Sequence, residues 1–260
     1  MRKLRIAALA STLALVAGMA SAEDIKVGVS VGEHAEIMEQ VAAVAKEKGL
    51  NIDIIEFTDY VVPNQALNDG DLQANSFQHQ PYLDNQIKDR GFDLVSIGKT
   101  ITTPMGVYSE KLKSLDDLPE GAKIALPNDP TNGGRALLVL QTKGVIKLAE
   151  GTGLTPTPLD VTENPKNVKF LELDAAQLPR ALADADAAVI NTNYALEAGL
   201  NPEKDAIAIE AAESPYANII VVRTADKDAE WAKTLVESYN SDAVKKYITE
   251  KYSGAVIPAW

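Results

Sequence analysis

The sequence predicts an α/β protein with mostly parallel sheets. Three observations lead there. A β-rich run (Ile25–Ser30), a helix-spaced stretch (His34–Lys48) and an alternating run (Asn51–Phe57) make a βαβ unit close to the N-terminus. Strand and helix patterns then alternate as far as Tyr252. After the first two dozen residues, no apolar stretch is long enough to span a membrane.

In chain order, the first helix is read from Ile37, Val41, Val44 and Ala45 on one face and from Gly49 as its stop. Pro63–Asn68 suits a short helix closed by the Asn68-Asp69-Gly70 turn. Asp71–Phe77 reads as a strand, Pro81–Asp89 as a helix stopped by Gly91, and Phe92–Ile97 as a strand that continues extended to Tyr108. Ala122–Leu126 is a strand. Pro127–Gly134 reads as a loop of turn formers leading into a helix over Arg135–Lys143. Val168–Leu173 is a strand, Ala176–Ala183 a helix and Ala187–Asn191 a buried strand. Ile207–Ala211 and Asn218–Arg223 are strands, and Asp228–Tyr239 and Ser241–Tyr252 are helices.

The N-terminus has the layout of a secretory signal: Arg2, Lys3 and Arg5, an apolar run from Ile6 to about Ala17, then Ala20-Ser21-Ala22. Cleavage is expected after Ala22. The chain has no cysteine, which excludes disulfides and, on this reading, lipid attachment at the processing site. The expectation is a periplasmic protein without a lipid anchor. Three of the 25 basic residues and none of the 37 acidic ones precede Glu23, leaving a formal charge of −15 on residues 23–260. Such a surface excludes nucleic acid and anionic membrane as partners.

No nucleotide loop, no nucleophile elbow and no zinc-helix motif is present. Two histidines and no clustered carboxylates speak against a transition-metal site. No cofactor is expected. An exported α/β chain without catalytic motifs reads as a binding protein whose lobes close on a ligand. The other readings are an exported enzyme, which would need a nucleophile–base pair or two perturbed carboxylates, and a surface adhesin.

Six stretches carry a resemblance: HAEIMEQ (His34–Gln40), EFTDYVVPNQAL (Glu56–Leu67), ANSFQHQPYLD (Ala74–Asp84), NDPTNGGRAL (Asn128–Leu137), INTNYALEAGL (Ile190–Leu200) and SPYANIIVVR (Ser214–Arg223). In this order they resemble the NlpA/MetQ lipoprotein family, the substrate-binding components of methionine ABC transporters. One departure is Ala-Ser-Ala where family members often carry a lipid-anchor cysteine.

The resemblance implies a type II periplasmic-binding-protein fold with two α/β lobes. The first lobe is expected over residues 23–103 and 217–260 and the second over residues 104–216. Hinge crossovers are expected near Thr102–Met105 and Ala217–Val222. It also implies L-methionine as ligand, a membrane permease and a cytoplasmic ATPase as partners, and no catalysis. The protein is expected to be a monomer. D-methionine, another apolar amino acid or a methionine-containing dipeptide remain open as ligands.

For the ligand carboxylate the expected partner is Arg135, through a bidentate guanidinium aided by the preceding loop and helix start. Taken alone, Arg135 reads as a surface arginine. Asn191 and Asn193 at a strand end and Asn218 near the hinge offer neutral donors and acceptors for the ammonium or carboxylate. Asn132 is expected to hold the loop around Arg135. The resemblance places Tyr60, Phe77, His79 and Tyr82 around the thioether, which is favoured against ring edges by about 0.3–1.5 kcal/mol per contact. His79 could pack there or donate one N–H. His34 is expected to be structural, and Trp231 and Trp260 to pack the C-terminal helices.

Overall fold

The computed structural model describes residues 23–211 and 214–260; the expected signal segment lies outside the described residues. One five-stranded sheet contains β1 (Glu23–Ser30), β2 (Leu50–Phe57), β3 (Ala74–His79) and β4 (Leu94–Lys99). A second contains β5 (Gly106–Tyr108), β6 (Lys123–Pro127), β7 (Lys169–Leu173), β8 (Ala187–Ile190) and β9 (Ala206–Ile209). The chain then returns as β10 (Asn218–Arg223) into the first sheet. The orders are β2-β1-β3-β10-β4 and β7-β6-β8-β5-β9.

The two sheets share one plan. In each, three neighbouring strands are parallel, and the fourth position is taken by a strand running against both its neighbours: β10 in the first sheet, β5 in the second. Both are the strands by which the chain enters a sheet from the other one. This is the type II arrangement of two α/β lobes joined by two crossovers. Asn218–Val222, expected near the return crossover, are buried residues of β10.

The helices follow from their apolar faces and stops. α1 (Glu33–Glu47) buries Ile37, Met38 and Val41 against Val27 and Val29 of β1, and Gly49 ends it at φ 82, where a side chain would be strained. α2 (Val62–Asp69) and α3 (Gln80–Arg90) connect strands of the first sheet. α4 (Pro130–Thr142), α5 (Leu178–Ala181), α6 (Thr192–Glu197) and α7 (Pro202–Asp205) belong to the second lobe. The C-terminal helices α8 (Glu230–Tyr239) and α9 (Asp242–Tyr252) add Leu235, Tyr239, Val244 and Ile248 to the first core. Trp260 is partly buried there, its ring 5.8 Å from Tyr239 and nearly perpendicular to it, and Trp231 packs against the same core. The second core centres on Met105, Val107, Ile124, Leu126 and Leu137. Because the strands are parallel, their C-terminal ends and the helix starts that follow face one another across the gap between the lobes.

Candidate functional site

The first wall of that gap is built by β3 and the start of α3. Every residue of β3 is buried. Asn75 and Gln78 join Asn64 of α2 in a closed amide cluster, with Nδ2 of Asn64 donating to Oε1 of Gln78 at 2.8 Å and Nδ2 of Asn75 donating to Oδ1 of Asn64 at 2.9 Å. The amides that crowd this motif therefore fix strand to helix.

His79 ends β3 and caps α3: its Nδ1 accepts from the backbone N–H of Tyr82 at 3.2 Å. The proton of the neutral ring must then sit on Nε2, which donates to Oδ1 of Asn132 at 3.2 Å. Burial, with the Arg135 charge adding to it, pulls His79 down to about 3, so the imidazole is neutral at physiological pH. With both nitrogens engaged, His79 offers a ring and no free N–H, which corrects the expectation that it could donate to a ligand. Tyr82, only 4 % exposed, donates its hydroxyl to the carbonyl of Tyr60 at 2.8 Å. The Tyr60 ring lies 6.0 Å from Phe77, 6.3 Å from Tyr82 and 5.1 Å from Tyr194. Its hydroxyl reaches across the gap to Oδ1 of Asn193.

The facing wall is polar. The stretch expected as a loop is helical from Pro130 onward. Asp129 caps α4 by accepting from the backbone N–H of Thr131 and Asn132 at 3.2 and 2.8 Å, and Pro130 suits the first helical position. The glycines serve packing: a Cβ on Gly134 would stand 2.7 Å from the Leu154 carbonyl oxygen. Burial pushes the Asp129 carboxyl up, against the four donors that Thr131 and Asn132 turn toward it. Asn132 holds this wall together, its Nδ2 on Asp129 at 2.9 Å and its Oδ1 taking both His79 and Nδ2 of Asn191, the latter at 2.9 Å.

Arg135 sits in the second turn of α4 and is 2 % exposed, so it is no surface arginine. Nε donates to both carboxylate oxygens of Glu210 at 3.0 and 3.1 Å, and Nη2 donates to Glu210 and, at 2.9 Å, to the Thr103 carbonyl. The Tyr216 ring covers the guanidinium, 4.5 Å from Cζ to its centroid, and stands 5.0 Å from the His79 ring. Among the described residues Nη1 takes no hydrogen bond. Asn191 directly follows β8 and takes the N-cap position of α6, as a strand-end residue should, whereas Asn193 lies inside that helix, which corrects its placement at a strand end. Oδ1 of Asn191 and Nδ2 of Asn193 are buried and without partners among the described residues.

Between these walls lies a small cavity. Tyr60, Phe77, His79, Tyr82, Asn132, Arg135, Asn191, Asn193 and Asn218 all line it, together with His34, Gln78 and Thr103. His34, expected to be structural, thus contributes to the wall; burial pulls it down to about 4. Glu210 and Tyr216 escaped the sequence reading. Tyr216 lies within the SPYANIIVVR stretch, and Glu210 carries no local signal because its partner is 75 residues away.

Residues 25–260 match the family model described as NlpA lipoprotein. The chain belongs to the NlpA lipoprotein family. It is 54% identical over 239 residues to the D-methionine-binding lipoprotein MetQ of Salmonella typhimurium, covering 91% of this chain and 88% of that protein. With the MetQ of Escherichia coli strain K12 it shares 51% identity, covering 98% of this chain and 96% of that one. Among solved structures, a nutrient binding protein from Burkholderia cenocepacia bound to methionine superposes with a TM-score of 0.89 at 59% identity, covering 91% of this chain and 100% of that one. An ABC transporter periplasmic substrate-binding protein from Coxiella burnetii gives 0.87 at 48% identity, over 90% and 100% of the two chains.

These names correct one expectation. The family and the MetQ relatives are named as lipoproteins, which overturns the reading of a protein without a lipid anchor. That reading rested on the lack of cysteine in the sequence and on residues 20–22, which lie outside the described residues.

Proposed function

We propose that this chain is the substrate-binding protein of an ABC importer and that it captures methionine between its two lobes. One observation carries the reading: a single cavity has rings on one wall and, on the other, a guanidinium flanked by one unpaired amide donor and one unpaired amide acceptor. A free amino acid presents the matching groups. Its carboxylate would lie on Arg135 and Nδ2 of Asn193, and its ammonium would donate to Oδ1 of Asn191, with Asn218 beside it. Asn132 would keep Asn191 and His79 in register. The thioether would rest among Tyr60, Phe77, Tyr82 and the neutral His79 ring, an apolar and polarizable lining.

Residues 23–103 with 217–260 and residues 104–216 would form the closing lobes. The Tyr60–Asn193 and His79–Asn132 contacts would latch them. Delivery would be to a membrane permease driven by a cytoplasmic ATPase, with the ATP chemistry on the partner and none on this chain, which would act as a monomer. L-methionine is the proposed ligand. The relatives named for D-methionine make the D-enantiomer the second reading.

Calorimetric titration of protein refolded free of carried-over ligand tests this. The expected result is tight saturable binding of methionine, L over D, with norleucine weaker and glutamine weaker still. Folded protein that gives no heat with either enantiomer would overturn the ligand assignment.

A further inference from the structure

Glu210 is not on the cavity wall, yet it determines what the wall presents. Among the described residues that line the cavity, Arg135 alone carries a fixed charge: both histidines are held neutral by burial and the rest are amides, hydroxyls and rings. Glu210 meets that charge from behind. Its carboxylate takes the Nε–Nη2 edge of the guanidinium, and its side chain is 10 % exposed against 3 % for Arg135. Glu210 is itself fixed at the first crossover. Oε2 accepts from the backbone N–H of Met105 at 3.1 Å, and the backbone N–H of Glu210 donates to the Met105 carbonyl at 2.9 Å. The Thr103 carbonyl completes the cradle on Nη2.

Two consequences follow from elementary electrostatics. The paired edge cannot turn into the cavity without breaking a buried ion pair, so the ligand meets the Nη1 side. The pair is also close to neutral as a unit. An unpaired guanidinium in a low-dielectric pocket would attract any anion strongly and repel a ligand ammonium nearby. With Glu210 behind it, the pocket matches a ligand whose own charges sum to zero.

We propose that Glu210 is a specificity-determining residue: by pairing with Arg135 it makes the site select zwitterionic amino acids over anions of the same shape. The inference rests on the reading of Arg135 as the carboxylate partner. It assigns Glu210 a role in selection beyond holding the fold, and that difference is measurable.

The probes are methionine, 4-(methylsulfanyl)butanoate, which is methionine without its ammonium, and 3-(methylsulfanyl)propylamine, which is methionine without its carboxylate. In the unaltered protein the butanoate should bind at least tenfold more weakly than methionine; equal affinity would overturn the proposal with no variant needed. In Glu210→Gln, which keeps the size of the side chain and removes its charge, the ratio of butanoate to methionine affinity should rise at least tenfold, and the propylamine should lose affinity. Glu210→Asp, which keeps the charge, should hold the ratio near that of the unaltered protein. A parallel loss for all three probes in Glu210→Gln, the mark of a merely structural role, would overturn the proposal. Arg135→Ala separates the two levels. If it leaves methionine affinity unchanged, the carboxylate assignment fails. If it weakens methionine while Glu210→Gln leaves the ratio unmoved, the inference about Glu210 fails and the assignment stands.

Discussion

The two lobes treat their buried ionisable groups in opposite ways. The first lobe neutralises them. Burial pushes Glu33 up to about 8 and pulls His34 and His79 down to about 4 and 3, so all three are uncharged near pH 7. The 3.9 Å approach of His34 to Glu33 is therefore a contact between neutral groups. The second lobe surrounds them with partners: Arg135 with Glu210, and the Asp129 carboxyl, which burial pushes up, with the donors of Thr131 and Asn132. On the proposed reading, each half of a zwitterionic, apolar-tailed ligand would go to one wall. A neutral ring wall suits the tail, where a charge would demand desolvation, and a paired polar wall suits the head.

Acid should break the first lobe before the second. A histidine whose folded pKa is depressed binds fewer protons folded than unfolded, so its stabilisation is present above about 6.5 and is lost as pH falls toward 3–4. His34 and His79 both belong to the first lobe, and their loss amounts to several kcal/mol. Hydrogen exchange during acid titration should show α1 and β3 opening ahead of β6 and β8. Simultaneous opening of both sheets would erase the distinction.

Glu33 should act with the opposite sign. Its raised folded pKa means that stability is greatest below about 4.5 and declines as pH rises to about 8. Both its carboxylate oxygens are buried without partners among the described residues. Glu33→Gln should therefore melt higher than the unaltered protein at pH 8, by an amount worth on the order of a few kcal/mol, and match it near pH 4. Denaturant titration at the two pH values checks this; an equal difference at both would refute the burial argument.

Arg135→Ala should weaken methionine binding by about 2–3 kcal/mol, roughly a hundredfold, by removing a charge-assisted pair. It should also destabilise the second lobe, because Glu210 is left buried and unpaired. Tyr60→Phe should have the smallest effect. It removes the hydroxyl donated across the gap to Asn193 and should cost about 1 kcal/mol of affinity, read as a faster off-rate. An off-rate that stays the same would remove Tyr60 from the latch.

Much of the fold was legible because it is local. Helix faces such as Ile37–Val41–Ala45, glycine stops such as Gly49 and Gly91, and the strand Asn218–Arg223 are written in short windows of sequence. The nine expected site residues line one cavity because strand ends and helix starts, where their motifs lie, converge there. What stayed hidden depends on tertiary contact. Gly133 and Gly134 look like loop residues, but they are helical and small because the Pro127 and Leu154 carbonyls press on them. α6 is a six-residue helix whose first turn is polar, too short for periodicity to reveal. The Arg135–Glu210 pair joins positions 75 residues apart, and one acid among 37 gives no warning of it.

The central claim is the orientation of the ligand between the two walls. A crystal structure of the protein with L-selenomethionine bound would test it most directly, because anomalous scattering marks the selenium. The account predicts the selenium peak among Tyr60, Phe77 and Tyr82, and the carboxylate within hydrogen-bonding distance of Arg135. Selenium beside Arg135 and Asn191, with the amino-acid head against the rings, would contradict it.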